Sequence, residues 1–298
     1  MANNLGGLVD KFTTRLDQVV EQESKTSFLN LNGELLGELN GHGQIEIATI
    51  ALDGLGDYDR ANGFPTGSVS LEWEQYKLQH DRGREFEIDD MDDEEHLSLV
   101  TANAMSIFAR DKVVPEVDAI RFATLSANAG NTETENIATP AAALDAVLLA
   151  EEAMQDAGEE LEGLVLNLTS HVHTLLRKSQ EWDARYGEDP DTRVRTFDGM
   201  RLSIIPKSRF YTAIDLKDGK TAGQTAGGYA KASGGKGINF MIASPKAAAA
   251  ITKHQKLRYF APDVNQDKDA HKWQYRLYHD LLVYAHQIDK IYANIATA

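Results

Sequence analysis

The sequence contains no cysteine. Disulfides, thiolate metal sites and cysteine nucleophiles are therefore excluded from its chemistry. Long apolar runs are missing too, and none approaches the roughly 20 residues that span a bilayer. The first residues carry no apolar signal region, because Lys11, Arg15, Asp17 and Glu21 interrupt them. Positive charge is scarce. Lysine and arginine number 30 against 46 aspartates and glutamates, a net charge of −16. This argues against a protein that grips nucleic acid through its phosphates, which needs clustered cations. It also means that copies repel one another, so any assembly must rest on packed interfaces. The expectation is a soluble, intracellularly made protein outside the membrane.

What is present suits a globular chain. Of 298 residues, 42% are hydrophobic and 26% charged, enough for a real core and long enough for two domains. The stretch from Ile45 to Ile88 reads as long strands joined by an oversized connection, Leu52 to Gly67. That connection carries Gly54, Gly56, Asp57, Asn62, Gly63, Pro65 and Gly67. Connections in compact domains have a median of about 4–6 residues. A long arm of this kind suits a protein that reaches a neighbour better than a self-contained enzyme.

Leu5 to Val20 has the spacing of an amphipathic helix, as either a packed helix or an arm docking on another subunit. A second apolar patch runs from Phe28 to Leu36. Asp81-Arg82-Gly83 is a turn signal, with Glu85 to Ile88 returning as strand. Asp89, Asp90, Asp92, Asp93, Glu94 and Glu95 form an acidic run. It is better read as the first turn of a helix, complementing the dipole, than as a cation site. That helix runs from Asp92, and Pro115 should end or kink it near Val114, with Glu116 to Ala129 as a second piece. Thr139-Pro140 starts a helix ended by Gly158. Leu164 to Leu168 is a strand, Thr169 or Ser170 caps the next helix, and Arg201 to Pro206 and Asn239 to Ala243 are strands. Ser244-Pro245 reads as another helix start, giving a helix Lys246 to Lys253. Lys217 to Gly237 reads as an exposed, mobile loop. Gln274 to Ala285 alternates as one long strand, which needs a partner before residue 90 or around Leu257 to Phe260. A final short strand follows.

Several chemical motifs nearly match. Gly219-Lys220-Thr221 looks like the end of a P-loop, but Ile214 stands where the phosphate cradle needs glycine. Gly235-Lys236 fails as well, with Ala230 before it and Gly237 after. Asp263-Val264-Asn265-Gln266-Asp267-Lys268-Asp269 opens like an EF-hand loop. The required sixth-position glycine and twelfth-position glutamate are Lys268 and Gln274, so a self-capping polar loop is the better account. His171 and His173 are two apart and form a poor metal pair on a helix. His279 and His286 read as packed or interfacial. No nucleophile elbow or zincin motif occurs. No catalytic, cofactor-binding or metal-binding residue is assigned.

Four separated segments carry a family resemblance. They are the run Leu52-Asp53-Gly54-Leu55-Gly56-Asp57-Tyr58-Asp59-Arg60-Ala61-Asn62-Gly63-Phe64; Asp81-Arg82-Gly83-Arg84; Val114-Pro115-Glu116-Val117-Asp118-Ala119-Ile120-Arg121-Phe122; and Ala261 to Asp267 with Tyr275 to Asp280. In this order they resemble the major capsid proteins of tailed double-stranded DNA bacteriophages. The resemblance implies an α+β fold in four parts. These are an N-terminal arm over 1–43, an extended β-ribbon or E-loop over 44–88, a peripheral domain over 89–138 and 256–298 with a long spine helix, and an axial domain over 139–255. It implies self-assembly as pentamers and hexamers into an icosahedral virion shell around double-stranded DNA, bound without sequence specificity. Synthesis would be in the host cytoplasm, with no cofactor and no membrane. Scaffolding, portal and decoration proteins are the further partners. The arm begins almost at once, so a separate scaffold or none is expected. No Lys–Asn crosslinking triad is matched. The alternatives are an encapsulin-like compartment shell and, well behind, an enzyme using 217–237 as a phosphate lid.

Overall fold

The computed structural model describes residues 24–30, 44–58, 60, 63–91, 105–179, 181–188 and 194–297. The expected helix from Leu5 to Val20 and the start of the spine helix at Asp92 lie outside them. Among the described residues, no helix is long and apolar enough to cross a membrane.

The first feature is the two-stranded ribbon. β1 (Gln44–Leu52) pairs antiparallel with β2 (Val69–Lys77), in register from Gln44 opposite Lys77 to Leu52 opposite Val69. Nine paired residues at about 3.3 Å each make an arm roughly 30 Å long.

The turn expected at Asp81-Arg82-Gly83 is not there. These residues lie inside β3 (His80–Asp89), opposite Tyr278, Leu277 and Arg276 of β13 (Ala270–Val283). Gly83 serves a close approach instead of a turn, since a Cβ there would lie 3.0 Å from the Tyr275 carbonyl oxygen. The chain breaks earlier, at Leu78 and Gln79. β13 is flanked by β3 and by β12 (Ala248–Phe260), so the long strand has partners in both places the sequence suggested. Its alternation holds as far as His279, with Tyr275, Leu277 and His279 buried, while from His279 to Leu282 both faces are buried.

Residues 105–127 run as one continuous helix, so of the expected end or kink near Val114 there is no end, but the helix is irregular there. A π turn, Ala109–Val113, precedes α1 (Val114–Ala127), and the Val114 N–H donates to the Ala109 carbonyl. The wider turn makes room for the ring of Pro115 inside the continuous helix, where its missing N–H removes one backbone bond.

A seven-stranded mixed sheet forms the second body, in the order β4-β14-β11-β5-β8-β7-β6. Its strands are β4 (Asn131–Glu135), β5 (Val165–Thr169), β6 (Tyr186–Glu188), β7 (Arg195–Phe197), β8 (Met200–Ile205), β11 (Ile238–Ala243) and β14 (Ile291–Ala296). Helices α2 (Pro140–Asp156), α3 (Ser170–Leu176) and α4 (Trp182–Arg185) connect some of these strands. Thr139 caps α2 by accepting from the Ala142 N–H at 3.2 Å. Gly158, at φ +80°, ends it, with Gly158 N donating to Gln155 O and Glu159 N to Met154 O. Thr169 caps α3 in the same way. One core brings Val147, Ala150 and Met154 of α2 and Val172 and Leu176 of α3 onto Leu166, Leu168, Phe240 and Ile242. A second joins Phe122 and Leu125 of α1 with Phe28, Leu29, Ile205, Phe210 and Met241. Full burial of each such aromatic or leucine contributes about 1.5–3 kcal/mol.

The expected helix Lys246 to Lys253 is instead the start of β12. Ser244 makes only a turn, through Ala247 N to Ser244 O at 3.0 Å. Alanine favours helix by propensity, but Ala247, Ala248 and Ala249 are fully buried between clusters containing Leu281 and Leu282. Pairing with β13 and close packing override the local preference. The loop Lys217 to Gly237 also holds more structure than expected. β9 (Ile214–Leu216) and β10 (Tyr229–Lys231) pair across it as a short hairpin.

Candidate functional site

The ribbon tip, residues 53–68, is closed by its own side chains. Ser68 donates its N–H and hydroxyl to Asp53 Oδ2 at 2.6 and 2.8 Å, and these bonds hold the Asp53 carboxyl below its ordinary range. The Tyr58 and Phe64 rings meet with centroids 4.8 Å apart. Leu55 is fully exposed and Phe64 is 86% exposed, with Leu52, Tyr58 and Val69 also out in solvent. Scattered exposed apolar residues are ordinary, but this many gathered at the end of an arm mark a contact surface.

The ribbon root is fixed. Leu78 is buried, and its carbonyl accepts from Tyr278 Oη at 3.0 Å. Buried Asp280 accepts from the Gln79 N–H at 2.9 Å and from the Leu281 N–H at 2.8 Å. Tyr76 Oη donates to the Leu281 carbonyl at 3.2 Å. Burial, then the charge of Asp280, pushes the Tyr76 phenol above its ordinary range. His279, beside His80, is buried, and burial plus Arg121, His80 and Arg82 push it down to about 3. It is a neutral, packed imidazole.

The three-stranded sheet is tied to α1 by Arg82, whose Nε lies 2.5 Å from Glu116 Oε1. Arg82 and Arg84 also donate to the Gly228 and Thr225 carbonyls, drawing the 217–228 tip onto β3. Around Asp118, fully buried on α1, five donors converge. Oδ1 accepts from Ser24 Oγ at 2.7 Å, Thr26 Oγ1 at 2.8 Å and the Thr26 N–H at 3.3 Å. Oδ2 accepts from the Lys25 N–H and from Arg209, both at 3.1 Å. Arg121 donates to Thr26 Oγ1, and burial pushes it down to about 10 against the pull of Asp118. Segment 24–30 is thereby bolted to the helix.

The near-motifs are spent on their own backbones. At Gly219-Lys220-Thr221, Asp218 Oδ1 accepts from the N–H groups of Lys220 and Thr221 at 2.9 Å, the place a phosphate would take. In the 263–269 loop, Asn265 donates to the Ala270 carbonyl at 3.0 Å and accepts from the Asp267 N–H, while Asp267 binds Lys272. His171 bonds the Ile137 carbonyl, whereas His173 meets the Trp182 ring edge-on, so the two point apart. A cavity of about 890 Å³ lies between β3, β13, α1 and the 217–228 tip. Its carboxylates are largely committed: Glu116 to Arg82, Glu87 to Lys268, and Asp218 to its own loop. Asp118 and Asp280, two of the buried carboxylates, fall in segments that carry the resemblance, but nothing in the sequence pointed to their role as hydrogen-bond hubs. Each sits singly in an otherwise unremarkable helix or strand pattern.

No protein-family model and no curated protein sequence matches the chain. Solved structures do. The asymmetric unit of the bacteriophage PhiM1 mature capsid superposes with a TM-score of 0.61 at 12% identity, covering 86% of this chain and 82% of that one. The capsid of cyanophage P-SCSP1u gives 0.55 at 11% identity, covering 86% and 84%. The chain has the phage-capsid fold. A virus-like particle from Pyrococcus furiosus shares it, with a TM-score of 0.52 at 10% identity over 96% of this chain and 99% of that one. The expected α+β capsid architecture is therefore correct.

Proposed function

We propose that the chain is a major capsid protein, assembling as pentamers and hexamers into an icosahedral virion shell around double-stranded DNA. One observation carries this reading: an apolar tip without a partner among the described residues, held out on a ribbon whose root is locked by Asp280, Tyr76 and Tyr278. Such an arm has a use only against a second molecule. Each copy would lay its ribbon over a neighbour, so that many weak contacts close a stable shell. The role is structural rather than catalytic.

The division expected from the sequence, 1–43 for the arm, 139–255 for the axial part and 89–138 with 256–298 for the peripheral part, is crossed by the sheets, since β4 joins the seven-stranded sheet and β12 the three-stranded one. The ribbon itself ends at Lys77, since β3 pairs with β13, and β14 belongs with the seven-stranded sheet. Purified protein, alone or with a scaffolding partner, should form closed icosahedral particles in electron micrographs. A chain that stays monomeric under every assembly condition would sink the reading.

An encapsulin-like shell is the second reading, favoured by the near-complete coverage of the archaeal virus-like particle. Contents separate the two: nuclease-protected DNA supports the virion, and an enclosed enzyme supports the compartment.

A further inference from the structure

A second cavity, of about 300 Å³, opens between segment 24–30 and strands β5, β7 and β8. Arg201 of β8 pairs with Val165 of β5, and alternate residues of a strand share a side, so Arg201 and Ser203 line the same face. Lys25 and Ser27 stand on the facing wall, and Arg195 of β7 completes the lining. Buried Phe28 and Val165, members of one core cluster, give the cavity an apolar floor.

Its charge runs against the composition of the chain. Acids outnumber lysines and arginines by 46 to 30, yet among the described residues the lining holds Lys25, Arg195 and Arg201 and no aspartate or glutamate. Among those residues none of the three cations forms an ion pair. Arg185 on α4, by contrast, is taken by Asp198 and Glu181. Asp118 binds the same segment through Ser24 Oγ and the Lys25 N–H, but Arg209 already meets it at 3.1 Å and Arg121 is drawn to it as well. It therefore offers the cavity no spare counter-charge. Three like charges around one space repel until an anion enters. The half-buried Ser27 and Ser203 add hydroxyl donors, and lysine, arginine and serine together are the side chains that contact phosphate oxygens.

We infer that this cavity is a phosphate-binding site, with Lys25, Arg195 and Arg201 as counter-charge and the Ser27 and Ser203 hydroxyls as donors. The space exceeds a bare phosphate, so free phosphate and a phosphodiester of a nucleic acid backbone are both sources of that chemistry. Charge-assisted hydrogen bonds to arginine and lysine hold either one. The bound anion joins two distant stretches of chain, since Lys25 and Ser27 belong to the segment bolted to α1 and Arg201 and Ser203 to β8. It thereby closes segment 24–30 onto the sheet. The site does not depend on the shell reading, which stands or fails on particles in micrographs.

Calorimetric titration with inorganic phosphate at constant ionic strength tests the site. Ionic strength is held fixed because salt alone screens the repulsion within a chain of −16. Wild-type protein should bind a single phosphate per chain and melt higher in phosphate than in matched chloride, as a ligand of the folded state requires. K25A keeps the backbone N–H that Asp118 uses, and R201Q changes an exposed side chain, so both should melt like the wild type in chloride. Each should weaken phosphate binding roughly tenfold, the loss of one hydrogen bond to a charged group. K207Q, which removes an exposed lysine outside the lining, should bind as the wild type does. A short oligodeoxynucleotide separates the sources. Competition with phosphate that K25A and R201Q also weaken assigns the backbone phosphate, and phosphate binding without competition assigns the free anion. No binding of phosphate beyond that of chloride, or equal binding by K25A, R201Q and the wild type, overturns the site.

Discussion

Ser24 Oγ donates to Asp118 Oδ1 at 2.7 Å across 94 residues of chain. Asp118 has no exposed surface, and Arg209 and the Lys25 and Thr26 amides share the same carboxylate. Asp118→Ala strands those donors and leaves Arg121 and Arg209 without their counter-ion. Removing one partner of a buried charged network costs on the order of 3–5 kcal/mol. Urea unfolding should read a loss in that range. A loss under about 1 kcal/mol would mean the network is not a bolt.

Two buried groups make stability depend on pH with opposite slopes. Burial and the neighbouring Asp198 push Glu151 up to about 7, against an ordinary 4.5, with Arg185 opposing. Its contribution is fully present below about 4.5 and is lost as pH rises through 7. His279, pushed down to about 3 from 6.5, contributes above 6.5 and loses that contribution as pH falls towards 3. Thermal melts across pH 4 to 8, given as approximate bounds, should therefore peak in the middle. Glu151→Gln should flatten the alkaline side, by about 2 kcal/mol at most, and His279→Leu the acid side. An unchanged alkaline slope in Glu151→Gln would rule that carboxyl out.

Deleting Gly54 to Gly67 removes the apolar tip and leaves Asp280, Tyr278 and Leu78 untouched at the root. The shortened chain should fold and melt normally and form no shells. Equally good shells from it would contradict the role given to the tip. Phe64→Ser, which breaks the Tyr58–Phe64 contact, should weaken assembly in the same direction.

Gly130 follows α1 and donates to the Ile288 carbonyl at 2.9 Å. A Cβ there would lie 2.6 Å from Asp289 Oδ1 and 2.9 Å from the Asp289 backbone. Gly130→Ala must therefore push the 285–290 segment away, costing about 1–3 kcal/mol. Equilibrium unfolding checks this, and a neutral substitution would show that the segment gives way freely.

The sequence by itself determined the elements whose signal is local. Thr139-Pro140 capped its helix, Gly158 ended it, and β13 alternated as far as His279, where only one face is buried. The missing cysteine excluded thiolate chemistry outright. The oversized connection from Leu52 to Gly67 was legible as a long loop, and exposed apolar side chains gather in it. Tertiary structure decided what local preference gets wrong. Ala247 to Ala249 became part of a strand approach because pairing with β13 and a tight core outweigh helix propensity. Gly83 entered a strand because another backbone passes 3.0 Å away. Pro115 stayed within a helix because a π turn accommodates it. Asp118 and Asp280 gained their roles only from donors brought in from distant parts of the chain. Short-range spacing fixes helices and strands, while long-range pairing, which no local pattern encodes, fixes which surfaces face a neighbour.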